Sequence, residues 1–329
     1  MGQKYSRRIG AALAWLGMAG LTLLIFFVIA ASVRDAGLVL EPSREVELEE
    51  ERRYYDVRLP AEPLTEPTPL LLVLHGEVGS ASRTEKVTGW TEVATAAGWV
   101  VVYPEGVDGC WNDGRKGAFN RAIRNKVDDV AFLNWVIDAL MKEYPIDPAR
   151  IYITGVFSGG AMALRYACED SDRVAAVAVV SGLLPVDMEE ACKNRRPIPA
   201  LFINGMKDRL MPYEGGEIQF LGTHRGTVFG AEETARRWAE TNGCAEKVLE
   251  QPLPGSADVE NPKVLREHYV NCADEADVVR YALRDLGHQY PGGVALGPPW
   301  LVGEVNLDLQ STTEVMTFFQ AHRKKDAAL

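Results

Sequence analysis

Five short stretches of the chain are apolar at nearly every position: Leu70–Leu74, Trp99–Tyr103, Ile151–Thr154, Val174–Val180 and Ala200–Ile203. Strands that are apolar on both faces belong in a parallel sheet covered by helices on either side. Breakers end the first three runs: His75-Gly76, Pro104 and Gly155. Between them the periodicity changes to that of helices. Asp128-Asp129 precedes Val130, Leu133, Val136, Ile137 and Leu140 at helical spacing, a cap followed by an amphipathic face. Gly160–Ala167 follows the third run directly, and Ala235, Trp238 and Ala239 share one face of 232–241. With an edge hairpin beginning near Tyr54, this pattern predicts one doubly wound α/β domain over residues 53–325 and a short tail, 326–329. Ligands of such a domain are expected at the carboxyl ends of its strands.

Ahead of this domain the pattern is different. Ile9–Val33 contains no charged residue, and as a helix these 25 residues would span about 37 Å, enough to cross a membrane core of about 30 Å. Lys4, Arg7 and Arg8 precede it, which leaves residues 1–8 cytoplasmic and sends the body across the membrane. A cleaved signal peptide is the alternative, with Ala30-Ala31-Ser32 as the small residues at the cut. Both readings deliver the body to an extracytoplasmic compartment, anchored in one case and secreted in the other. Residues 34–52, rich in glutamate and arginine, read as a charged linker.

Composition adds two exclusions. Apolar residues at 47% and charged residues at 25% are ordinary for a globular chain. The net charge is −11, and with Lys4, Arg7 and Arg8 set apart the remaining 32 basic and 46 acidic groups leave −14. A nucleic-acid partner would require a basic face, so none is expected.

Several ordered motifs carry a resemblance: Leu74-His75-Gly76, Tyr103-Pro104-Glu105-Gly106, Val127-Asp128-Asp129-Val130, Tyr152-Ile153-Thr154-Gly155, Gly205-Met206-Lys207-Asp208, Pro212–Gly216, Trp238 with Asn242-Gly243-Cys244, and Gly287-His288 ahead of Pro291-Gly292-Gly293. In this order the chain resembles the polyhydroxybutyrate depolymerase and feruloyl-esterase-like α/β-hydrolases from Leu71 to about Gly293. The resemblance implies an α/β-hydrolase fold without a cofactor, acting on small or polymeric carboxylic esters. The implied chemistry is acyl transfer through a serine, with a histidine as base and an aspartate to orient it. Chain order in this fold is Ser, Asp, His, which assigns Asp208 and His288. His75 is expected to shape a strand-end loop rather than react. Glu77 and Gly159 are the implied oxyanion amides, although an inward Glu77 carboxylate would oppose the charge that develops there.

The nucleophile is where the sequence departs from this group. Gly155-Val156-Phe157-Ser158-Gly159-Gly160 aligns with Gly-x-Ser-x-Gly only if Phe157 takes the serine position. The residues two before and two after an elbow nucleophile must be small. With Phe157 at the tip they are Gly155 and Gly159; with Ser158 at the tip they are Val156 and Gly160. Two readings stand: Ser158 is the nucleophile of an active esterase, or Phe157 fills the site of an inactive, ligand-binding relative. A structural role at the membrane surface is a third.

None of the five cysteines has zinc-site spacing, so no metal is expected. Cys244 and Cys272 match a disulfide that the resemblance implies just before the histidine loop. Cys168 with Cys192 is a further pairing, leaving Cys110 over. Trp111 reads equally as packing or as the wall of a subsite, and Tyr213 and Tyr290 flank Asp208 and His288 as candidate lining beside Phe157. Oligomeric state is not legible.

Overall fold

The computed structural model describes residues 44–48, 51–117, 119–220, 222–250 and 262–325. The Ile9–Val33 segment, residues 34–43 and the 326–329 tail lie outside these. Among the described residues no helix is long and apolar enough to cross a membrane.

Among the described residues twelve strands run in chain order: β1 Arg44–Leu48, β2 Glu51–Arg58, β3 Thr68–Leu74, β4 Val100–Pro104, β5 Ile146–Val156, β6 Ala176–Val180, β7 Ala200–Gly205, β8 Gly215–Phe220, β9 Thr223–Phe229, β10 Glu246–Glu250, β11 Val264–Val270 and β12 Val278–Leu283. Ten form one sheet in the order β1-β2-β4-β3-β5-β6-β7-β12-β11-β10. The middle, β4 to β12, is parallel, and both margins are antiparallel. Strands β8 and β9 form a separate hairpin.

The apolar runs build the parallel middle because each strand buries both faces. Along β3, Leu70, Leu72 and Leu74 enter one core, while Leu71 and Val73 enter the other. The first core is roofed by α3 (Asp129–Glu143), α4 (Ser158–Glu169) and α6 (Ala231–Thr241), and the short α5 (Glu189–Lys193) also packs there through Cys192. The second is roofed by α1 (Ala81–Thr88), α2 (Trp90–Ala96) and α7 (Ser311–Ala321). Asp128 caps α3 by accepting the Ala131 amide at 2.9 Å, as its position predicts.

The linker expectation needs correction. Arg44–Leu48 is strand β1, paired to β2 from Arg44↔Tyr55 to Leu48↔Glu51, so the hairpin begins ten residues before Tyr54. The charges conceal a period of two: Val46 and Leu48 pack on the first core while Glu45 and Glu47 face solvent. Arg44 is bound by Glu143 and by the Tyr144 hydroxyl at 2.8 Å. Inside β2, buried Arg53 donates to the equally buried Asp129 at 2.6 Å.

Two disulfides close, Cys168–Cys192 and Cys244–Cys272, and Cys110 is a free, buried thiol. The first ties α4 to α5. The second joins the segment after α6 to the one after β11, two residues beyond the strand's end.

Candidate active site and its closed elbow

Strand β5 turns into helix α4 through Phe157, which adopts φ 55° and ψ −120°. A non-glycine residue pays about 1–3 kcal/mol for such a backbone, and the flanking glycines allow the turn to be that tight. A Cβ on Gly155 would lie 2.2 Å from the Gly159 carbonyl oxygen, and one on Gly159 would lie 2.2 Å from that of His75. The Phe157 amide donates to Val180 O at 3.0 Å, which fastens the tip to β6. A register one residue later would put Val156 where only glycine fits. The elbow therefore presents Phe157.

Ser158 is the first residue of α4 and is 3% exposed. Its Oγ is buried and makes no hydrogen bond, so it is not engaged by His288. This corrects the assignment of Ser158 as nucleophile: the helix begins one residue too early for it to stand at the tip. The amide that follows the tip accordingly belongs to Ser158 and not to Gly159, the residue expected to supply it.

Opposite the elbow the acid–base pair is assembled. His288 Nδ1 donates to Asp208 Oδ2 at 2.8 Å. Asp208 Oδ1 accepts the amides of Leu210 and Met211 at 2.9 and 2.8 Å, so the carboxylate is held on both oxygens. With a carboxylate on Nδ1, neutral His288 carries its free lone pair on Nε2. The loop bearing it is fixed to the sheet: Lys207 N donates to Leu286 O at 3.0 Å, and Ser181 Oγ to Gln289 O at 3.1 Å. The Phe157 ring lies over the imidazole, centroids 3.7 Å apart and planes 28° apart. The same ring packs on Gly76, where a Cβ would lie 2.7 Å from Phe157 Cδ2. Base and oxyanion loop are thus separated by an aromatic ring where a serine hydroxyl and an acyl carbon would meet.

Known proteins place this geometry in a family. The model of the Dienelactone hydrolase family matches residues 57–219. A putative esterase, NocK, of Nocardia uniformis subsp. tsuyamanensis is 33% identical over 287 residues, covering 84% of this chain and 81% of that protein. The chain belongs to the dienelactone hydrolase family. Feruloyl esterase B of Piromyces equi is 30% identical over 226 residues, which span 67% of this chain and 39% of that protein. The acetyl xylan esterase from Aspergillus awamori shares the fold, with a TM-score of 0.56 at 13% identity, covering 84% of this chain and 98% of that one. By kinship the chain stands among esterase-type hydrolases with an α/β-hydrolase fold.

The remaining expected site residues divide. Glu77 turns its carboxylate to Arg225 and, at 3.8 Å, to Arg115, so it is neutralised by two arginines instead of facing the cleft bare. Arg115 is itself buried and gripped by Asp113 through Nε and Nη2. Trp111, 1% exposed, donates to His75 O at 2.8 Å and lies tilted against the imidazole, so it braces the loop. Tyr290, 2% exposed, is sealed in the second core with its hydroxyl on Thr312, and burial raises its pKa. Tyr213 is half-buried and accepts from Arg280 at 2.6 Å, beside the β8–β9 hairpin. Of the four expected lining residues, Phe157 lies with its ring over the imidazole of the dyad. Each correction has one cause: ring size marks a residue as apolar, and only the tertiary neighbours decide whether it lines or props.

His75 behaves as expected of a structural residue. Its Nε2 accepts the Gly106 amide and Nδ1 donates to Gly76 O, both at 2.8 Å, and burial lowers its pKa to about 4. The sequence reading missed the group beside it. Glu105 Oε1 accepts the Ala81 amide at the start of α1 at 2.7 Å, its Oε2 lies 3.4 Å from His75, and burial lifts its carboxyl to about 7. The only sequence signal for it was its place in Tyr103-Pro104-Glu105-Gly106, right after a buried strand. Among the described residues no His, Cys, Asp or Glu cluster suits a metal.

Proposed function

We propose that this protein is a non-acylating member of its family, a hydrolase-fold receptor for carboxylic esters or their acids. The observation that carries the reading is the stack of Phe157 on His288 with Phe157 at the strained tip of the elbow. A phenyl ring has no proton to give the imidazole and no lone pair to attack a carbonyl, so the covalent step has no agent. The ligand class follows the relatives named feruloyl and acetyl xylan esterases and the depolymerase resemblance of the motifs. The donors left for it are the Ser158 amide at the start of α4 and the Glu77 amide on the facing loop. The two disulfides support an extracytoplasmic home, with Ile9–Val33 as anchor or cleaved leader.

Calorimetric titration with methyl ferulate, followed by chromatography of the recovered ester, tests the reading. Saturable binding with the ester recovered intact is the expected result. Multiple turnover of the ester by the unaltered chain would overturn it.

The intact Asp208–His288 pair favours a second reading, an active esterase with Ser158 as its nucleophile. Turnover of the ester by the unaltered chain that is lost in Ser158→Ala would establish it in place of the first.

A further inference from the structure

The chain that follows His288 is unlike the rest of this acidic protein. From Pro291 to Gly303 every residue is Pro, Gly, Val, Ala, Leu or Trp, with no charged side chain and, apart from the Trp300 indole N–H, no polar one. Such a run belongs in a core, yet Val294 is 63% and Trp300 65% exposed. Trp300 is the one exposed tryptophan among the described residues; Trp90, Trp99, Trp111 and Trp238 are buried. The segment is fastened beside the dyad. Gln289 donates through Nε2 to Gly303 O at 2.9 Å and accepts the Leu296 amide on Oε1 at 2.9 Å. Gly287 meets the single helical turn Pro299–Val302 that carries Trp300, where a Cβ would lie 2.3 Å from Val302 O. Arg83 of α1 ties the far side of the segment through Leu296 O at 2.8 Å.

On the other side of the stacked Phe157 and His288 rings, Val78 stands two residues beyond Gly76. Gly79 N donates to Gly76 O at 3.0 Å, and Val78, the third residue of that turn, holds φ 55°. A turn with positive φ at this position takes glycine or asparagine, and a β-branched residue there is strained. Val78 is the only β-branched residue with positive φ among the described residues. It is also 74% exposed, so no core gains from its side chain. Neither turn chemistry nor packing accounts for a valine here.

We propose that Val78 and Trp300 are the two lips of a subsite for an uncharged aromatic ring of the ligand, with Trp300 as the stacking platform and Val78 flanking it. The assignment rests on the receptor reading above and narrows its ligand class to neutral aromatic esters. Phe157 fills the elbow, so a ring is held at the mouth of the cleft, where both lips stand. A charged group would lose water there to a surface with nothing to bind it. A flat neutral ring instead gains burial and offset stacking on the indole. A strained valine that packs on nothing in the free protein is explained by a contact made only with ligand.

The test is a titration of the full-length chain, labelled with 5-fluorotryptophan, with methyl ferulate and separately with methyl acetate. Heat of binding and the Trp300 fluorine resonance, assigned by its loss in Trp300→Phe, are read together. Methyl ferulate is expected to bind about tenfold or more tightly than methyl acetate, with the resonance moving in step. Trp300→Ala, a surface change, should weaken methyl ferulate about tenfold and leave methyl acetate unaffected, while Trp300→Phe keeps most of the affinity. Val78→Gly should weaken methyl ferulate about threefold and raise the thermal midpoint, because it removes contact and strain together. Unchanged ferulate affinity in Trp300→Ala, or an unmoved resonance at saturation, overturns the proposal and leaves the receptor reading standing. No binding of either ester overturns both. A resonance that follows protein concentration or phosphatidylcholine vesicles instead of the ester gives the lips to a second copy or a lipid surface, and overturns the proposal equally.

Discussion

The elbow between β5 and α4 and the loop after β12 face each other at the carboxyl end of the sheet, and each has kept a different half of its equipment. The elbow keeps its backbone: Phe157 holds φ 55°, and Gly155 and Gly159 stand where a Cβ would meet a carbonyl oxygen at 2.2 Å. The side chain at its tip is a phenyl ring. The histidine loop keeps both backbone and chemistry, with Asp208 held on two amides and bonded to His288 at 2.8 Å. Elbow geometry is enforced by packing between strand, helix and the His75 loop, so it persists whatever side chain stands at the tip. The chemistry depended on a single oxygen. Under the proposed reading, loss of that oxygen leaves nearly the whole fold in place.

Substitution at the tip is the strongest way to break this contrast. Phe157→Ser restores a hydroxyl opposite an assembled dyad and should raise the hydrolysis of 4-nitrophenyl acetate by about a hundredfold or more over the unaltered chain. Initial rates measure it, and a rate equal to that of the unaltered chain would mean that the histidine loop is no more competent than the elbow. Removing the Cys244–Cys272 bridge, which lies at the other end of β12 from that loop, is next. Cys244→Ser with Cys272→Ser opens a loop of 28 residues, at a cost of about 3.5 kcal/mol on the chain-entropy model. Chemical denaturation of the variant should show that loss.

Glu105 beneath the oxyanion loop gives a pH test. Its folded carboxyl is raised from 4.5 to about 7 by burial, so the folded state binds the proton more tightly than the unfolded one. Its contribution to stability is full below about pH 4.5 and is lost as the pH rises through 7. Relative to Glu105→Gln, the unaltered chain should lose about 3 kcal/mol across that window and then level off. His75, lowered to about 4, works in the opposite direction below about pH 6.5. A flat difference curve between pH 4.5 and 7.5 would rule the effect out.

The smallest effect is the most telling about the serine. Ser158 Oγ is buried without a partner, so Ser158→Ala should leave ligand binding unchanged and raise stability by up to about 1 kcal/mol. A loss of stability in denaturant titrations would show that the hydroxyl is bonded after all.

The same contrast explains what the sequence disclosed. The parallel strands were legible because both faces are buried, which leaves runs of apolar residues that nothing else in a soluble domain requires. Strand β1 was hidden by its own charges, since Glu45 and Glu47 face solvent between Val46 and Leu48. Strands β10 and β11 went unread because charged residues alternate along them, and the parallel β12, buried throughout, because Arg280, paired to Glu267, interrupts its apolar run. At the site, the register of the elbow was legible from glycine spacing alone, because the steric rule acts within five residues. The fates of Trp111, Tyr290 and Glu77 were not, because each is set by groups far away in the chain: the His75 carbonyl, Thr312 and Arg225.

The central claim is that no side chain at the elbow can form an acyl-enzyme. Intact-mass spectrometry after incubation with a fluorophosphonate probe tests it most directly, with Phe157→Ser treated in parallel as the positive control. The expected result is no added mass on the unaltered chain and one adduct on the variant, mapped to residue 157. A stoichiometric adduct on the unaltered chain, mapped to Ser158 and absent from Ser158→Ala, would contradict the account.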